Sequence, residues 1–406
     1  MLNRQQQIVH DAALNNLRTG RKQVFEYSGR SGTGKTYTLR QICEDSGIPE
    51  KNILPMAFTG AAAAVLRKKG FTRATTLHAG LFAPKQVKNP AFYEAKHDSK
   101  EFNHQFGLPK VPSMITKFVP KTDLGRTELI VIDEGYMCPR SMKDIIEQYN
   151  LPVIVTGDMR QLPPVKDMPA YLAGDNIPEL TETMRQEANS PIVYIANRIL
   201  QGLPVHCGNY GNRVLVIEEG DLTPDMLKCS DMILAGTNYT RDYWNIKIRE
   251  EIWGYDSPLP MYGERVICRQ NNHNNAVNGI ELANGLMGYS VSNPDVSTFN
   301  GKYFRMDFLP DLLYEPFKNL LCDYEYFSAS PKERRDYHNP YNFGEKFEFA
   351  YCITTHLSQG SEAERGIYFS EIINHGGPEY QKRLDYTAVT RFKQFMILIK
   401  PKRRFF

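Results

Sequence analysis

Apolar runs alternate with segments of helical periodicity from the N-terminus to Asp158. Four of the runs predict buried strands, because a central strand of a parallel sheet buries both of its faces. These runs lie at 24–28, 52–58, 128–134 and 151–158. Apolar residues three or four positions apart predict helices at 3–19, 37–43 and 59–66. Strands and helices in alternation are typical of an α/β fold with a parallel sheet.

The second half of the chain repeats this alternation between longer irregular segments. A long helix is predicted from Leu180 to about Leu200, and an antiparallel strand at 263–269. Further strands are predicted at 231–238, 347–356, 366–369 and 395–399, and further helices at 239–252 and 383–391. An asparagine-rich loop is predicted at 271–278. The aromatic segment 290–343 lacks helical periodicity and predicts a small β insertion, to which no function is assigned.

Composition narrows the class of protein without selecting a partner. A chain of 406 residues has room for two to four domains, and 41% hydrophobic with 23% charged residues is ordinary for a soluble protein. No apolar run is long enough for a transmembrane helix, and we expect a cytoplasmic protein. The net charge of +3 neither requires nor excludes nucleic acid. The seven cysteines form no C-x-x-C pair, so neither a zinc site nor a disulfide framework is predicted.

The stretch from Gly29 to Thr36 fits the phosphate-binding pattern G-x-x-x-x-G-K-[ST]. Glycines let the backbone turn so that N–H groups converge on phosphate oxygens, and the following helix adds a partial positive charge. We expect Lys35 to reach the β- and γ-phosphates and the Thr36 hydroxyl to bind Mg²⁺. The other loop residues assigned to the nucleotide are Gly29, Ser31, Gly32, Thr33 and Gly34. The alternative, a glycine-rich turn without a ligand, is disfavoured by the strand before the loop and the helix after it.

Polar residues follow two later strands of the predicted sheet. Asp133 and Glu134 end the run at 128–134, where the carboxyl ends of parallel strands form the ligand edge. Asp133 is a candidate Mg²⁺ ligand through water and Glu134 a candidate general base, although a capped turn would also place carboxylates there. Gln161 follows the next strand and is a candidate reader of the γ-phosphate. Near the N-terminus, Gln6 offers an amide that can pair with an adenine edge.

Residues 83–122 depart from the α/β pattern, with prolines, lysines and interleaved aromatic residues. Two interpretations stay open for this segment. Basic residues with aromatics suit an element that tracks a nucleic-acid strand or splits a duplex. A solvated insertion with its own small core has the same composition.

The order of these blocks resembles superfamily 1 helicases of the RecD/Dda type, a group with 5′-to-3′ polarity. Leu2–Gln6 resembles the Q motif, Gly29–Thr36 matches motif I, and Ile132–Glu134 matches motif II. The remaining matches are 58–62 to motif Ia, 76–78 to Ib, 157–164 to III, 180–186 to IV, 355–362 to V and 386–391 to VI. The resemblance therefore covers nearly the whole chain.

The resemblance assigns further residues. It implies arginine fingers at Arg185 and Arg391, and it places Gly360 and Glu362 of motif V at the nucleotide. It also implies contacts to single-stranded DNA in motifs Ia, Ib and V. The candidate residues for these contacts are Thr59, Gly60, Thr76, His78, Thr355 and His356.

Three positions depart from the family pattern. Ala61 stands where relatives often carry Arg, Gly135-Tyr136 follows motif II in place of a small residue and Ser, and Phe392-Lys393 follows motif VI in place of Ala-Lys. The duplex-splitting pin of the family lies in the segment that 83–122 occupies, and no residue there matches individually.

The resemblance implies two RecA-like P-loop NTPase lobes with ATP and Mg²⁺ between them. The predicted limits are 1–82 with 123–180 for the first lobe and 181–289 with 344–406 for the second. The predicted insertions are 83–122 and 290–343. The implied activity is ATP-dependent 5′-to-3′ translocation on single-stranded DNA and unwinding of duplex. The alternatives are a nucleic-acid-dependent ATPase that acts as a non-unwinding translocase or switch, and a DNA-binding protein with a decayed ATPase.

The same resemblance suggests the partners. Single-stranded and forked duplex DNA are the expected substrates, single-strand-binding or replication proteins are candidate partners, and a monomer without membrane contact is expected. The small size resembles that of phage-encoded members of the family, which act in the host cytoplasm.

Overall fold

The protein was analysed as a computed structural model that describes most of the chain. The described residues are 2–20, 23–88, 114–164, 167–183, 190–277, 280–296, 301–311, 313–337, 344–373 and 376–400. The chain divides into two compact units. The first unit comprises Met1–Leu81, Lys121–Arg241 and Ile353–Phe406, and the second comprises Phe82–Pro120 and Asp242–Cys352.

The helices and strands of both units are numbered in chain order. The helices are α1 (Arg4–Thr19), α2 (Lys35–Asp45), α3 (Gly60–Lys68), α4 (Leu77–Leu81), α5 (Lys143–Glu147), α6 (Pro191–Leu200), α7 (Pro224–Lys228), α8 (Asn238–Lys247), α9 (Tyr324–Ser328), α10 (Pro331–Asp336) and α11 (Gly377–Val389). The strands up to the middle of the chain are β1 (Val24–Gly29), β2 (Ile53–Ala57), β3 (Thr75–Thr76), β4 (Phe82–Lys88), β5 (Met114–Pro120), β6 (Leu129–Asp133), β7 (Val153–Gly157), β8 (Glu179–Leu180), β9 (Gly208–Tyr210) and β10 (Val214–Ile217). The later strands are β11 (Met232–Ala235), β12 (Arg265–Cys268), β13 (Asn272–Val277), β14 (Ile280–Leu282), β15 (Met287–Ser290), β16 (Tyr303–Pro310), β17 (Phe317–Asp323), β18 (Phe347–Phe349), β19 (Cys352–Thr354), β20 (Ala363–Phe369) and β21 (Phe392–Ile399).

A parallel sheet of order β3-β2-β6-β7-β1-β8 forms the first half of the first unit. Every residue of β6 and β7 is buried, which explains their continuous apolar sequences. Leu39 and Ile42 of α2 pack with Val9 and Ala13 of α1 in the core of this half. The predicted α/β class and its first four strands are confirmed.

A second sheet in the same unit has the order β19-β11-β20-β21-β10-β9. Strands β10, β11, β20 and β21 pair in parallel, and β9 runs antiparallel to β10. Helix α11 packs against α6 and β21, and its Leu384, Ala388 and Val389 are buried. The first unit thus contains two predominantly parallel sheets.

The second unit is built from antiparallel strands. Its largest sheet has the order β17-β16-β15-β12-β18, and β4 pairs with β5 in a separate hairpin. The larger sheet takes strands from both sides of 290–343, so the β structure extends beyond that predicted insertion.

A buried ion pair joins Arg249 to Glu264, with Nε 2.7 Å from Oε1 and Nη2 3.1 Å from Oε2.

The predicted helix from Leu180 to Leu200 is wrong in its first part. Glu179–Leu180 forms β8 at the edge of the first sheet, residues 181–183 are not helical, and α6 begins at Pro191. The residue before a proline disfavours helical backbone angles, and proline itself suits the first helical turn. Ser190 therefore precedes the helix in an extended conformation.

Two other predictions are corrected. The asparagine-rich segment 271–278 is mostly strand β13, paired with β14, because asparagine side chains do not prevent a backbone ladder. The single strand predicted at 347–356 is two short strands, β18 and β19, in different sheets. A run of apolar residues does not specify how many sheets it contributes to.

In the part of the chain that the structure describes, no helix is both long and apolar enough to cross a membrane.

We expect Glu264→Gln to lower the free energy of unfolding of the second unit by about 3–5 kcal/mol, because the amide leaves the buried Arg249 charge without its counter-ion. Tryptophan fluorescence during urea unfolding reports this unit, since Trp244 and Trp253, the two tryptophans of the chain, both lie in it.

Glu251→Gln is the matched control. Glu251 pairs with Lys247 at 3.9 Å, but its side chain is 63% exposed. Loss of an exposed pair costs less than about 1 kcal/mol. Equal destabilisation by both substitutions would contradict the importance given to the buried pair.

Candidate functional site

The loop between β1 and α2 has the backbone of a phosphate cradle. Gly32 and Gly34 have φ of 77° and 78°, in the left-handed region that favours glycine. A Cβ on Gly29 would lie 2.6 Å from Thr33 Oγ1, so this position has no room for a side chain. Helix α2 starts directly after Gly34, and the N–H groups of its first turn lack partners within the helix. The loop and this helix start together form an anion site.

Lys35 and Thr36 take up positions beside this cradle. Lys35 Nζ donates to Arg30 O at 3.1 Å, so the ammonium group lies over the loop. Thr36 Oγ1 donates to Asp133 Oδ2 at 3.0 Å, although these residues are 97 positions apart. The contact places two hard oxygen donors side by side.

These oxygens fit Mg²⁺, which binds proteins through one or two carboxylates and completes its shell with phosphate and water. Within the described ranges no group of three His, Cys, Asp or Glu residues could hold a metal ion. A metal at Thr36 and Asp133 would therefore take most of its ligands from the nucleotide and water.

Glu134 has an unusual backbone and a perturbed carboxyl group. Its φ of 53° and ψ of 38° are sparsely populated for a residue with a side chain, and such conformations concentrate at functional sites. Burial raises the pKa of its carboxyl, the neighbouring Asp133 carboxylate raises it further, and the charges of Lys35 and Arg391 oppose the rise. A charge from the phosphate loop and a charge from the turn between α11 and β21 thus act on one carboxyl group.

Arg391 lies two residues after the end of α11 and is only 4% exposed. Its Nε donates to Thr387 O at 3.0 Å and its Nη1 to Ser361 O at 3.4 Å. The guanidinium is thus held by one carbonyl of α11 and one of the segment before β20. The other predicted finger, Arg185, lies outside the described residues.

Several buried polar atoms near these residues have no hydrogen-bond partner among the described residues. They include Gln161 Oε1, Arg30 Nε and Ser361 Oγ. An unsatisfied buried polar group costs free energy and calls for a ligand or an ordered water. Their position beside the loop, the acidic pair and Arg391 supports a polar ligand there.

A cavity of about 110 Å³ opens beside the loop. Its charged lining residues are Arg30, Arg213, Lys393 and Glu362, and Ser31 and Tyr386 also line it. Three cations against one anion suit a phosphate-bearing ligand.

Gln6 is fully buried and is hydrogen-bonded to the phosphate loop. Its Nε2 donates to Thr33 O at 3.0 Å, and its Oε1 accepts from the Asn3 N–H in a capping box at the start of α1. The amide predicted to read adenine therefore also supports the phosphate loop.

Gly360 of motif V lies against the start of α3. Its φ is 80°, and a Cβ there would lie 2.5 Å from Ala62 Cβ and 2.8 Å from Thr59 Oγ1. Glu362 Oε2 lies 2.6 Å from Lys393 Nζ, and Glu362 Oε1 lies 4.0 Å from Lys69 Nζ. Partial burial favours the neutral form of Glu362, but Lys69, Lys393 and Arg391 outweigh it and lower the pKa.

Lys69 is a site residue that the sequence did not identify. Its Nζ lies 3.5 Å from Thr36 Oγ1, one of the two oxygens that fit a metal. In the sequence it only ends a basic run after a predicted helix. The packing of α3 against the loop brings it to the site.

The candidate DNA contacts of motifs Ia and Ib lie at helix starts. Thr59 caps α3 by accepting from Ala62 N at 3.1 Å, and it donates to Gln359 O at 3.3 Å. Gly60 is the first residue of that helix. Thr76 accepts from Ala79 N at 3.2 Å, and His78 is exposed.

The two candidates of motif V differ in accessibility. Thr355 is 0% exposed, and its hydroxyl donates to Ala235 O at 3.2 Å. His356 is half-buried, with Nε2 3.2 Å from the Tyr380 hydroxyl. His356 is therefore the better placed of the two to meet a ligand at the surface.

Comparison with known families identifies the N-terminal part of the chain. The family described as AAA domain matches residues 1–216, more than half of the sequence. No curated protein matches the chain.

Solved structures of Pif1 helicases resemble nearly the whole chain. A structure of two coordinating Pif1 helicases at forked DNA has a TM-score of 0.54 and 18% identity, covering 98% of this chain and 92% of that one. Pif1 helicase from Candida albicans has a TM-score of 0.51 and 16% identity, with coverage of 98% and 94%. Pif1 helicase from Bacteroides, in complex with ADP-AlF3 and single-stranded DNA, has a TM-score of 0.51 and 16% identity, with coverage of 96% and 91%.

At these identities the likeness establishes the fold, and it is the fold of two RecA-like lobes that the motifs predicted. The chain therefore belongs to the AAA domain family and has the two-lobed fold of these Pif1 helicase structures.

Proposed function

We propose that the chain is a DNA helicase that moves 5′-to-3′ on single-stranded DNA and is driven by Mg-ATP hydrolysis. The observation that carries the proposal is the hydrogen bond from Thr36 Oγ1 to Asp133 Oδ2 at 3.0 Å, which brings the phosphate loop to the acidic pair. The charges of Lys35 of the phosphate loop and Arg391 of the second lobe both act on the neighbouring Glu134. A carboxyl group on which charges of both lobes act suits a reaction that depends on lobe closure.

The nucleotide half of the proposal assigns a role to each group. The loop 29–34 and the start of α2 bind the phosphates, and Thr36 and Asp133 hold Mg²⁺, which neutralises charge on phosphate oxygens. Glu134 accepts the proton of the attacking water, and Gln161 orients the γ-phosphate side of the site. Lys35, Arg391 and Arg185 stabilise the charge that develops on the transferred group.

Three further residues complete the proposed nucleotide site. Gln6 is proposed at the adenine, and its Nε2 donates to Thr33 O and so also holds the phosphate loop. Glu362 and Gly360 close the site from the second lobe.

The DNA half of the proposal rests on the related structures and on five residues that are exposed or half-buried. The Pif1 structures include one with single-stranded DNA and ADP-AlF3 and one with forked DNA. By analogy, the strand contacts of this chain are Thr59, Gly60, Thr76, His78 and His356. Thr355, which is buried, would support His356 rather than touch the strand.

The hairpin of β4 and β5 is our candidate for the element that splits the duplex. It occupies the predicted insertion 83–122, and its β5 carries the exposed Lys117. The predicted lobe limits, the monomeric state and the association with single-strand-binding or replication proteins belong to the same proposal.

We expect Lys35→Ala to reduce DNA-stimulated ATP hydrolysis by roughly 10²–10³-fold, the usual effect of removing one group that stabilises transition-state charge. Phosphate release with saturating single-stranded DNA measures it. Lys143→Ala is the control, because Lys143 pairs with Glu147 on the surface at 3.8 Å. Undiminished turnover of Lys35→Ala would remove the assigned nucleotide site.

Arg391→Ala is expected to lower kcat by roughly 10³-fold or more while leaving the Kd of a fluorescent ATP analogue nearly unchanged, because an arginine finger acts in the transition state. Single-turnover hydrolysis and equilibrium binding separate the two quantities. Weaker binding with normal turnover would assign Arg391 to ground-state binding instead.

The direction of translocation is tested with two partial duplexes, one with a single-stranded 5′ tail and one with a single-stranded 3′ tail. Unwinding is expected with the 5′ tail and not with the 3′ tail, at equal rates of ATP hydrolysis on the two tails. Robust hydrolysis without strand separation on either substrate would favour the alternative, a non-unwinding translocase or switch.

A further inference from the structure

One face of α11 is joined by hydrogen bonds to residues 158–162, here called the 158–162 loop. Tyr386 donates from its hydroxyl to Asp158 Oδ2 at 2.6 Å, and Leu162 N donates to Thr387 Oγ1 at 3.0 Å. Arg383 Nη1 donates to Gln161 O at 3.2 Å and also to Met159 O. The three helix positions are separated by three and four residues, so they share one face. This face connects the second lobe to the loop that carries Gln161.

Arg383 also reaches the segment that follows the acidic pair. Its Nη1 donates to the Tyr136 hydroxyl at 2.9 Å, and its guanidinium carbon lies 5.4 Å from the centre of the Tyr136 ring. Tyr136 is one of the positions at which this chain departs from the family pattern. The hydroxyl bond and the ring contact therefore depend on a residue that differs from the family pattern after motif II.

A single guanidinium thus bonds two segments that leave adjacent strands of the first sheet. One segment follows Glu134 at the end of β6, and the other carries Gln161 after β7. The same helix ends at Val389, two residues before Arg391, and Arg391 Nε donates to Thr387 O of this helix at 3.0 Å. A displacement of the helix therefore also moves Arg391.

We propose that Arg383 is a positioning residue that couples DNA binding to ATP hydrolysis, by tying the segments after Glu134 and around Gln161 to the helix that ends two residues before Arg391. The proposed DNA contact Thr59 joins the same loop through Gln359, whose Nε2 donates to Leu162 O at 2.9 Å and whose O accepts from Thr59 Oγ1 at 3.3 Å. Arg383 itself need not touch the nucleotide. The inference rests on the proposed ATPase and helicase function. It adds a specific connection, the Arg383–Tyr136 contact, to the residues of the motifs.

The first test compares Arg383→Gln with the wild-type chain, with kcat and KM for ATP measured in the absence and presence of saturating single-stranded DNA. We expect the stimulation of kcat by DNA to fall about 3- to 30-fold, the range of coupling that single side chains carry between sites. Basal kcat and KM are expected to stay within about twofold, since Arg383 stabilises an arrangement rather than transition-state charge. A stimulation ratio within about twofold of wild type overturns the proposal, as does an equal fall of basal and stimulated rates.

Tyr136→Phe removes one acceptor and keeps the aromatic ring, so it tests the contact without a large change in packing. A smaller loss of stimulation is expected, and Arg383→Gln combined with Tyr136→Phe should be no worse than Arg383→Gln alone, because residues that act through one contact are not additive. Additive losses would overturn the connection.

Arg383→Lys is the second variant if Arg383→Gln fails to fold. It keeps the charge but not the planar guanidinium over the Tyr136 ring, and it should show partial loss of stimulation.

Lys382→Gln is the matched control on the same helix, because Lys382 Nζ pairs with Glu379 at 2.7 Å on the surface. It should keep normal stimulation of kcat by DNA.

Failure of this inference is distinguishable from failure of the proposed function. Normal stimulation in Arg383→Gln beside an inactive Lys35→Ala rejects only the coupling role, whereas an active Lys35→Ala rejects the nucleotide site itself.

Discussion

The parallel arrangement of β6, β7 and β1 is the constraint on which the rest of the site depends. These strands are neighbours in the first sheet, and their carboxyl ends lie at one edge. The phosphate loop, the acidic pair and the 158–162 loop therefore leave the sheet side by side. The hydrogen bond between Thr36 and Asp133 is the direct consequence. A strand that ran in the opposite direction would place its following segment at the other edge of the sheet.

The second lobe reaches this edge through polar groups, which affects how it can move. The contacts of Arg383, Tyr386 and Thr387 with the 158–162 loop are hydrogen bonds, and water can replace each of them when the lobes separate. An apolar interface of similar size would resist opening more strongly, because its separation exposes apolar surface. A hydrogen-bonded contact therefore suits the opening and closing of the lobes that the proposed mechanism requires.

The sequence predicted the elements of the first lobe because their signals are local. Continuous apolar runs mark β6 and β7, and the glycines of the loop mark the turn before α2. The errors arise where the local pattern leaves the pairing undetermined. The apolar run at 347–356 belongs to two sheets, and residues 271–278 pair as a strand despite their loop-like composition. At Leu180, sheet pairing beside β1 outweighs the helical periodicity.

The sequence by itself determined the chemistry of the site: Lys35, Thr36, Asp133, Glu134 and Arg391 belong to short motifs whose residue types already state what they can bind or transfer. Tertiary structure alone decided which other side chains join them. Lys69 comes beside Thr36, Thr355 is withdrawn from the surface, and Arg383 meets a loop more than two hundred positions earlier in the chain. The physical reason is that motif chemistry depends on residues close in sequence, whereas these contacts depend on how two sheets and their helices pack.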